Sequence, residues 1–204
     1  MISMKDKLAK ALCDANVMKF GLFSLASGRK SPVYVDIRVL PSTPSSFETA
    51  VDELAKKVKE LKVDVVAGAE TAGIPIAAAI AIKAKLPMVY VRKIPKGYGT
   101  RSMIEGVLNK DQKVVLIDDM ITDGKSKMRF IEGIKHEGAV CEDVLVILDR
   151  EQGGSESLGE EGVTLHSLIT LKELLEFMKD KQLVDDDNYN ITMNYLNNPE
   201  QWNK

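Results

Sequence analysis

A regular alternation of short β-branched runs with longer amphipathic runs is the feature that most constrains how this chain folds. Apolar runs of strand length predict strands over residues 33–37, 63–68, 88–91, 114–117, 144–148 and 163–168. Apolar residues at helical spacing predict helices around residues 8–12, 47–61, 74–85 and 125–136, and another that Thr170 and Glu173 cap. Strands alternating with helices form βαβ units, so we expect an α/β fold with a mainly parallel central sheet flanked by helices. Ligands of such sheets bind at the carboxyl ends of the strands.

Three segments are less regular. Residues 20–31 have no period, which predicts an irregular stretch. The start of the long helix, by contrast, is marked by Ser45 and Glu48 at capping-box spacing. Residues 93–109 are polar and rich in glycine, which predicts a loop. The tail holds the acidic triplet 185–187 and many asparagines. We expect it to form a loose terminal helix or to cover a neighbouring surface, without chemistry.

Charge and cysteine usage exclude several classes of function. The chain has 204 residues and a net charge of −2, and it lacks the basic stripe of a nucleic-acid-binding protein. Its most apolar stretch, residues 72–82, contains a proline and is shorter than the roughly 18 residues that span a bilayer. Cys13 and Cys141 show no metal-ligand spacing, and the N-terminus resembles no secretory signal. We therefore expect a cytoplasmic protein that binds neither nucleic acid nor membrane.

The strongest motif is the segment 114–126, where an apolar strand leads into Asp118 and Asp119 and then into a turn with Gly124. The backbone N–H groups of such a turn and of the helix that follows can hold a phosphate. Two adjacent carboxylates beside a bare anion would repel it, whereas they can accept hydrogen bonds from sugar hydroxyls. The residues alone leave two interpretations open: a site for a phosphorylated sugar, or an ordinary strand-to-helix turn with a capping aspartate.

This segment resembles the phosphoribosyl pyrophosphate (PRPP) motif of the type I phosphoribosyltransferases. The resemblance implies that family's fold, including a small N-terminal hood. It also implies that Asp118 and Asp119 are catalytic, and that PRPP is bound by the whole motif: Asp118, Asp119, Met120, Ile121, Thr122, Asp123, Gly124, Lys125 and Ser126.

A second segment, residues 20–34, looks like the N-terminal signature of the orotate phosphoribosyltransferases. The resemblance implies that this segment folds over the base and that Tyr34 contacts orotate. Family members often have lysine where this chain has Ala26. In members that carry it, this lysine approaches the reaction centre.

A third segment, residues 90–101, carries four cations on a loop with glycines: Arg92, Lys93, Lys96 and Arg101. Such a loop could form a lid that closes over a diphosphate. Without the other motifs, a solvated basic loop would be the favoured interpretation. The resemblance implies that Arg92, Lys93 and Lys96 bind the diphosphate of PRPP, with Lys96 catalytic. It also implies a homodimer whose lid loops reach the neighbouring subunit. Tyr98, where many bacterial members have histidine, can bond a phosphate oxygen but carries no positive charge.

Two further turns follow strands. Residues 68–75 match the family's pyrophosphate loop, although Ala72 stands where some members have lysine. Arg150, at the end of the strand 144–148, could pair with a ligand carboxylate through two hydrogen bonds or form a surface ion pair with Asp149 or Glu151. In the family this arginine holds orotate, and the resemblance gives Thr122 a part in orienting it. His136 and His166 lie away from every cluster and are expected to be structural.

The resemblance as a whole implies Mg²⁺-dependent transfer of the phosphoribosyl group from PRPP to orotate, a step in UMP biosynthesis. No metal ligand is assigned to a side chain, because the family's Mg²⁺ is held mainly by PRPP. The expected regions are a hood segment at residues 1–40 with part of the C-terminal region, a core at 41–180 and a polar tail at 181–204. Two alternatives stay open: transfer to another base, or a non-catalytic regulator that senses PRPP.

Overall fold

A computed structural model describes residues 3–24, 28, 30–95, 102–199 and 202. The chain divides into two compact units, one formed by residues 1–47 and 169–204 and the other by residues 48–168. The helices are α1 (Met4–Asp14), α2 (Pro44–Leu61), α3 (Gly73–Ala84), α4 (Lys125–His136), α5 (Gly154–Glu160), α6 (Leu171–Asp180) and α7 (Asp186–Asn197). The strands are β1 (Met18–Ser24), β2 (Lys30–Val35), β3 (Val65–Ala69), β4 (Met88–Val91), β5 (Ile104–Glu105), β6 (Lys113–Ile121), β7 (Val140–Asp149) and β8 (Thr164–Thr170).

The central sheet has the strand order β5-β4-β3-β6-β7-β8. Strand β3 pairs in parallel with both β4 and β6, and β6 pairs in parallel with β7. The short β5 runs antiparallel to β4 at one edge. The predicted α/β fold with a mainly parallel sheet is confirmed.

The core of the second unit lies on this sheet. All five residues of β3 are buried, as are the apolar residues of β6 from Val114 to Ile117. Strands covered on both faces read as continuous apolar runs, which is why the sequence predicts them well. Helix α3 packs against β3 and β6, and α4 packs against β6 and β7. Phe130, Ile131 and Ile134 of α4 are buried in this core.

The first unit combines the β1–β2 hairpin with helices α1, α6 and α7. Helix α1 packs on α6, with Leu8, Leu12 and Leu174 fully buried. Helix α7 packs on β2 and on α6 and buries Tyr195, whose ring meets Trp202 edge-on at 5.5 Å. The tail thus forms a terminal helix, which Asp185 caps by accepting a hydrogen bond from the N–H of Asn188.

Several predicted boundaries were wrong, each for a local reason. Residues 18–24 form a strand that overlaps the stretch 20–31 expected to be irregular. It was missed because a register shift between Phe20 and Phe23 breaks the alternation of side chains. Helix α2 begins at Pro44, so Ser45 and Glu48 lie within it and do not form the expected capping box. Helix α5 has three glycines near or within it, which hid its period. The capping box of Thr170 and Glu173 is present as predicted.

Among the helices of the described residues, none is long and apolar enough to cross a membrane.

Candidate active site

The carboxyl ends of four parallel strands bring the predicted site segments to one edge of the sheet. Gly68 of β3 lies level with Tyr90 of β4 and with Ile117 of β6. Further along, Ile121 at the end of β6 lies level with Asp149 of β7. The loops after these strands therefore share this edge, as the sequence predicted for a parallel sheet.

The loop after β3 turns directly into α3 because Gly73 has no side chain. A Cβ added at Gly73 would lie 2.2 Å from the carbonyl oxygen of Ile117, closer than any real Cβ contact. Only glycine allows the first turn of α3 to approach the backbone of β6 this closely. Residues 70–72 are thereby held beside the acidic end of β6.

Glu70 joins this loop to the next one. Its Oε2 atom accepts a hydrogen bond of 2.6 Å from the backbone N–H of Lys93, and its own N–H donates to the carbonyl oxygen of Val91 at 2.9 Å. The residue belongs to the predicted pyrophosphate loop, but no pattern in the sequence connects it with the basic segment.

The acid pair lies within β6, near its end. The strand was expected to stop at residue 117, but it continues to Ile121. Asp118 is buried, whereas Asp119 is partly accessible. The Oδ1 atom of Asp118 accepts a bond from the N–H of Asp119, and its Oδ2 atom accepts one of 2.5 Å from Nζ of Lys127. Burial, and then the charge of Asp118, raise the pKa of Asp119 to about 6, while Lys127 acts in the opposite direction.

The turn after the acid pair has the form of an anion site. Gly124 adopts φ 80° as the residue before α4, a left-handed conformation that glycine takes without strain. The turn presents the N-terminus of a helix of 12 residues, where backbone N–H groups and the helix dipole favour a phosphate. Lys125 and Ser126 are exposed there, and Nζ of Lys125 lies 3.6 Å from Oδ2 of Asp123.

The basic loop after β4 is described only at its two ends. Nη1 of Arg92 lies 3.3 Å from Oε1 of Glu105, and its Nε atom donates to the carbonyl oxygen of Ile94. Lys93 is exposed. The predicted lid residues Lys96, Tyr98 and Arg101 lie outside the described residues, as does Ala26 of the predicted base-covering segment.

The residues expected to hold orotate fall in different units. Thr122 and Arg150 share the sheet edge, where the N–H of Arg150 donates to the carbonyl oxygen of Ile121 at 3.0 Å. Burial raises the pKa of the neighbouring Asp149. Tyr34 belongs to the first unit, where its hydroxyl accepts a hydrogen bond of 2.7 Å from Nη2 of Arg38. Its ring lies 5.5 Å from that of Phe23.

Lys127 is the residue at this site that the sequence analysis missed. It is buried in the first turn of α4, on the same face as Phe130, Ile131 and Ile134. A lysine at a core position of an amphipathic helix indicates a buried partner, and this signal is visible in the spacing of the sequence.

The two histidines lie outside the site. Nε2 of His166 lies 2.7 Å from Oδ1 of Asp143, near the start of β7, and His136 is exposed at the end of α4. Among the described residues, no three histidine, cysteine or acidic side chains are grouped as metal ligands would be. The carboxylate oxygens of the acid pair are of the kind that Mg²⁺ takes as ligands beside phosphate oxygens.

Comparison with known proteins agrees with this arrangement. Residues 44–161 match the family model of the phosphoribosyl transferase domain. The orotate phosphoribosyltransferase of Roseobacter denitrificans is 38% identical, over 95% of this chain and 90% of the relative. The crystal structure of the orotate phosphoribosyltransferase from Aeropyrum pernix superimposes with a TM-score of 0.77 at 37% identity, covering 87% of this chain and 99% of that one.

A larger protein contains the same fold. The structure of Leishmania donovani UMP synthase matches 97% of this chain with a TM-score of 0.86 at 31% identity, and the match covers 42% of that longer chain. The acid pair, the phosphate turn and these relatives lead to one assignment. This chain belongs to the orotate phosphoribosyltransferase family.

Proposed function

We propose that this chain transfers the phosphoribosyl group of PRPP to a ring nitrogen of orotate, giving orotidine 5′-monophosphate and pyrophosphate in pyrimidine biosynthesis. The observation that carries the proposal is the meeting of an acid pair, a phosphate turn, a basic segment and Arg150 at one sheet edge. Each group matches one part of the two substrates: ribose, 5′-phosphate, diphosphate and orotate carboxylate.

The acid pair acts on the ribose. Departure of the diphosphate leaves positive character on C1 of the sugar, which nearby carboxylates stabilise. Asp119, the more accessible of the two acids, accepts hydrogen bonds from the ribose hydroxyls, while Asp118 lies buried beside it in the strand. The turn from Ile121 to Ser126 binds the 5′-phosphate at the N-terminus of α4.

Cations act on the leaving group. Arg92 and Lys93 stabilise the negative charge that builds on the diphosphate, and Lys96 of the lid completes this set. Arg92 bonds Glu105, so PRPP would compete with that carboxylate for its guanidinium. When bound, Mg²⁺ supplies further neutralisation of the diphosphate charge.

Arg150 and Thr122 act on orotate. A guanidinium presents paired donors that match the geometry of a carboxylate, so Arg150 selects orotate over bases that lack this group. The ring nitrogen then faces C1 of the ribose. Proximity and charge stabilisation account for catalysis without a covalent nucleophile.

A homodimer with shared lid loops is part of the same proposal. Support comes from apolar side chains on the outer side of α3: Ile82 is 79% exposed, and Ala78 and Ala79 beside it are partly accessible. Apolar helix surfaces of this kind commonly mark contacts between proteins. Sedimentation of the wild-type chain and of Ile82→Asp tests it, since a monomeric wild type would contradict the dimer.

We also place the protein in the cytoplasm. Cys13 and Cys141 are both free thiols, which agrees with a reducing compartment. Fractionation of cells that produce the chain tests this location, and its recovery outside the cytoplasm would contradict it.

A panel of bases tests the proposed reaction. The purified chain is incubated with PRPP, Mg²⁺ and either orotate, uracil, hypoxanthine or adenine, and the nucleotide product is identified by mass. Orotidine 5′-monophosphate from orotate alone is the expected result. A product from a base that lacks the carboxylate would point to another phosphoribosyltransferase, and no product from any base would favour a non-catalytic sensor.

A further inference from the structure

Lys127 and Asp118 form a buried ion pair next to Asp119, the proposed ribose contact. Nζ of Lys127 lies 2.5 Å from Oδ2 of Asp118, and the two side chains are only 7% and 9% exposed. The two residues lie on different elements, Asp118 near the end of β6 and Lys127 in the first turn of α4. The pair therefore connects the acidic strand end to the helix whose N-terminus forms the phosphate turn.

Packing alone does not account for a lysine at this position. Its neighbours on the buried face of α4 are Phe130, Ile131 and Ile134, and an apolar side chain would complete that face. Removing an ammonium group from water is costly, and a buried ion pair often stabilises a fold no better than apolar residues of the same volume. A role in orienting the acid pair explains why the charge lies here.

Lys127 controls the conformation of Asp118 through its second carboxylate oxygen. Oδ1 of Asp118 accepts a bond of 2.9 Å from the N–H of Asp119, and Oδ2 accepts the bond from Lys127. Both oxygens thus have protein donors. The carboxylate is held in one orientation, and the backbone that carries Asp119 is held with it.

The pair also sets the net charge at the sugar. Two ionised acids and one ammonium leave a single negative charge, and it falls on Asp119, the acid that is partly accessible. One carboxylate facing the ribose suits a sugar that becomes cationic in the transition state. Without Lys127, two like charges would be buried side by side, which disfavours ionisation of both.

We infer that Lys127 is a positioning residue for this reaction: it fixes Asp118 through the buried ion pair and so presents Asp119 to the ribose of PRPP. The inference rests on the proposed function for its substrate. It requires no contact between Lys127 and PRPP, because the lysine acts only through the aspartates.

Three substitutions test this role. Lys127→Met keeps the length of the side chain but removes its charge and donor, Lys127→Gln keeps a donor alone, and Lys127→Arg keeps the charge. We expect kcat/KM for PRPP to fall about 10- to 100-fold in Lys127→Met, since small misplacements in an active site have effects of that size. The KM for orotate should stay close to wild type. Lys127→Arg should recover more activity than Lys127→Gln. Lys135→Met is the matched control, because Lys135 is exposed on the same helix.

The outcomes distinguish a loss of positioning from a loss of folding. They also distinguish failure of this inference from failure of the proposed function. Thermal unfolding of each variant shows whether it is folded. If Lys127→Met fails to fold, the comparison of Lys127→Arg with Lys127→Gln tests the role with Asp118 intact, and equal PRPP kinetics in those two variants would overturn it. A folded Lys127→Met with wild-type PRPP kinetics would overturn the inference, as would equal losses for PRPP and orotate. If the wild-type chain does not use orotate, calorimetric PRPP binding by the same variants still tests Lys127 separately.

Discussion

The carboxylate of Glu70 accepts a hydrogen bond of 2.6 Å from the backbone N–H of Lys93, which ties the loop after β3 to the start of the basic loop after β4. Both segments are assigned to the diphosphate of PRPP. The bond fixes one end of the basic loop at the edge of the sheet.

Replacing Glu70 should weaken this connection. A hydrogen bond to a charged group contributes about 1.5–3 kcal/mol, so Glu70→Ala should lower kcat/KM for PRPP by about tenfold or more. Glu70→Gln retains an acceptor and should lose less. Steady-state kinetics give the measurement, with Glu60→Ala, which alters an exposed carboxylate of α2, as the control. Wild-type PRPP kinetics in a folded Glu70→Ala would show that the bond has no functional part.

Gly73 offers a test of how closely α3 must approach β6. Alanine there would place its Cβ 2.2 Å from the carbonyl oxygen of Ile117, so the backbone has to move. Overpacking of this kind costs about 1–3 kcal/mol, and the shifted loop should also lower activity. Gly159→Ala is the control, since no atom lies within 4 Å of its added Cβ and alanine favours the helix. Urea unfolding measures the stability of both variants. Equal stability of the two variants would contradict the close approach.

The sequence predicted most of the sheet because its strands are buried on both faces. Strand β4 and helix α4 were found with the same bounds as in the structure, because an apolar run and a clear helical period marked them. The hairpin strand β1 was missed, since the register shift after Phe20 hides its alternation. Helix α5 was missed because glycines obscure its period.

The site was predictable where its chemistry lies in one continuous segment. The acid pair and the turn at Gly124 could be recognised from residues 114–126 alone. The bonds between Glu70 and Lys93 and between Asp118 and Lys127 join groups that approach each other only through tertiary packing. Local spacing contains no direct record of such pairs, although a lysine on the apolar face of α4 indicated one of them.

The stability of the fold should depend on pH through Asp119. Burial, followed by the charge of Asp118, raises its pKa from 3.8 to about 6. A raised pKa means that the folded state favours the neutral acid. The contribution of Asp119 is therefore fully present below pH 3.8 and is lost as the pH rises through about 6. The change is about 3 kcal/mol.

Asp119→Asn removes this titration. The free energy of unfolding is measured in urea from pH 4 to 8 for both proteins. The stability of the wild type relative to the variant should be greatest at low pH. The difference should shrink as the pH rises. A difference that stays constant, or that grows with pH, would contradict the raised pKa.

Arg150 should determine affinity for orotate. If its guanidinium pairs with the substrate carboxylate, Arg150→Ala should raise the KM for orotate by about tenfold or more, because a charge-assisted bond is lost. The KM for PRPP should change little. Arg150→Lys should restore activity only in part, since an ammonium group cannot form the paired bonds. Orotate kinetics unaffected by Arg150→Ala would remove this residue from the site.

Consumption of orotate, followed by its ultraviolet absorbance, tests the central claim most directly. The wild-type chain is mixed with orotate alone, with PRPP added, and with both PRPP and Mg²⁺, and Asp119→Asn is assayed beside it. The account predicts loss of orotate absorbance only when PRPP and Mg²⁺ are both present, and a much slower rate in the variant. Unchanged absorbance with the complete mixture, or an equal rate in the variant, would contradict it.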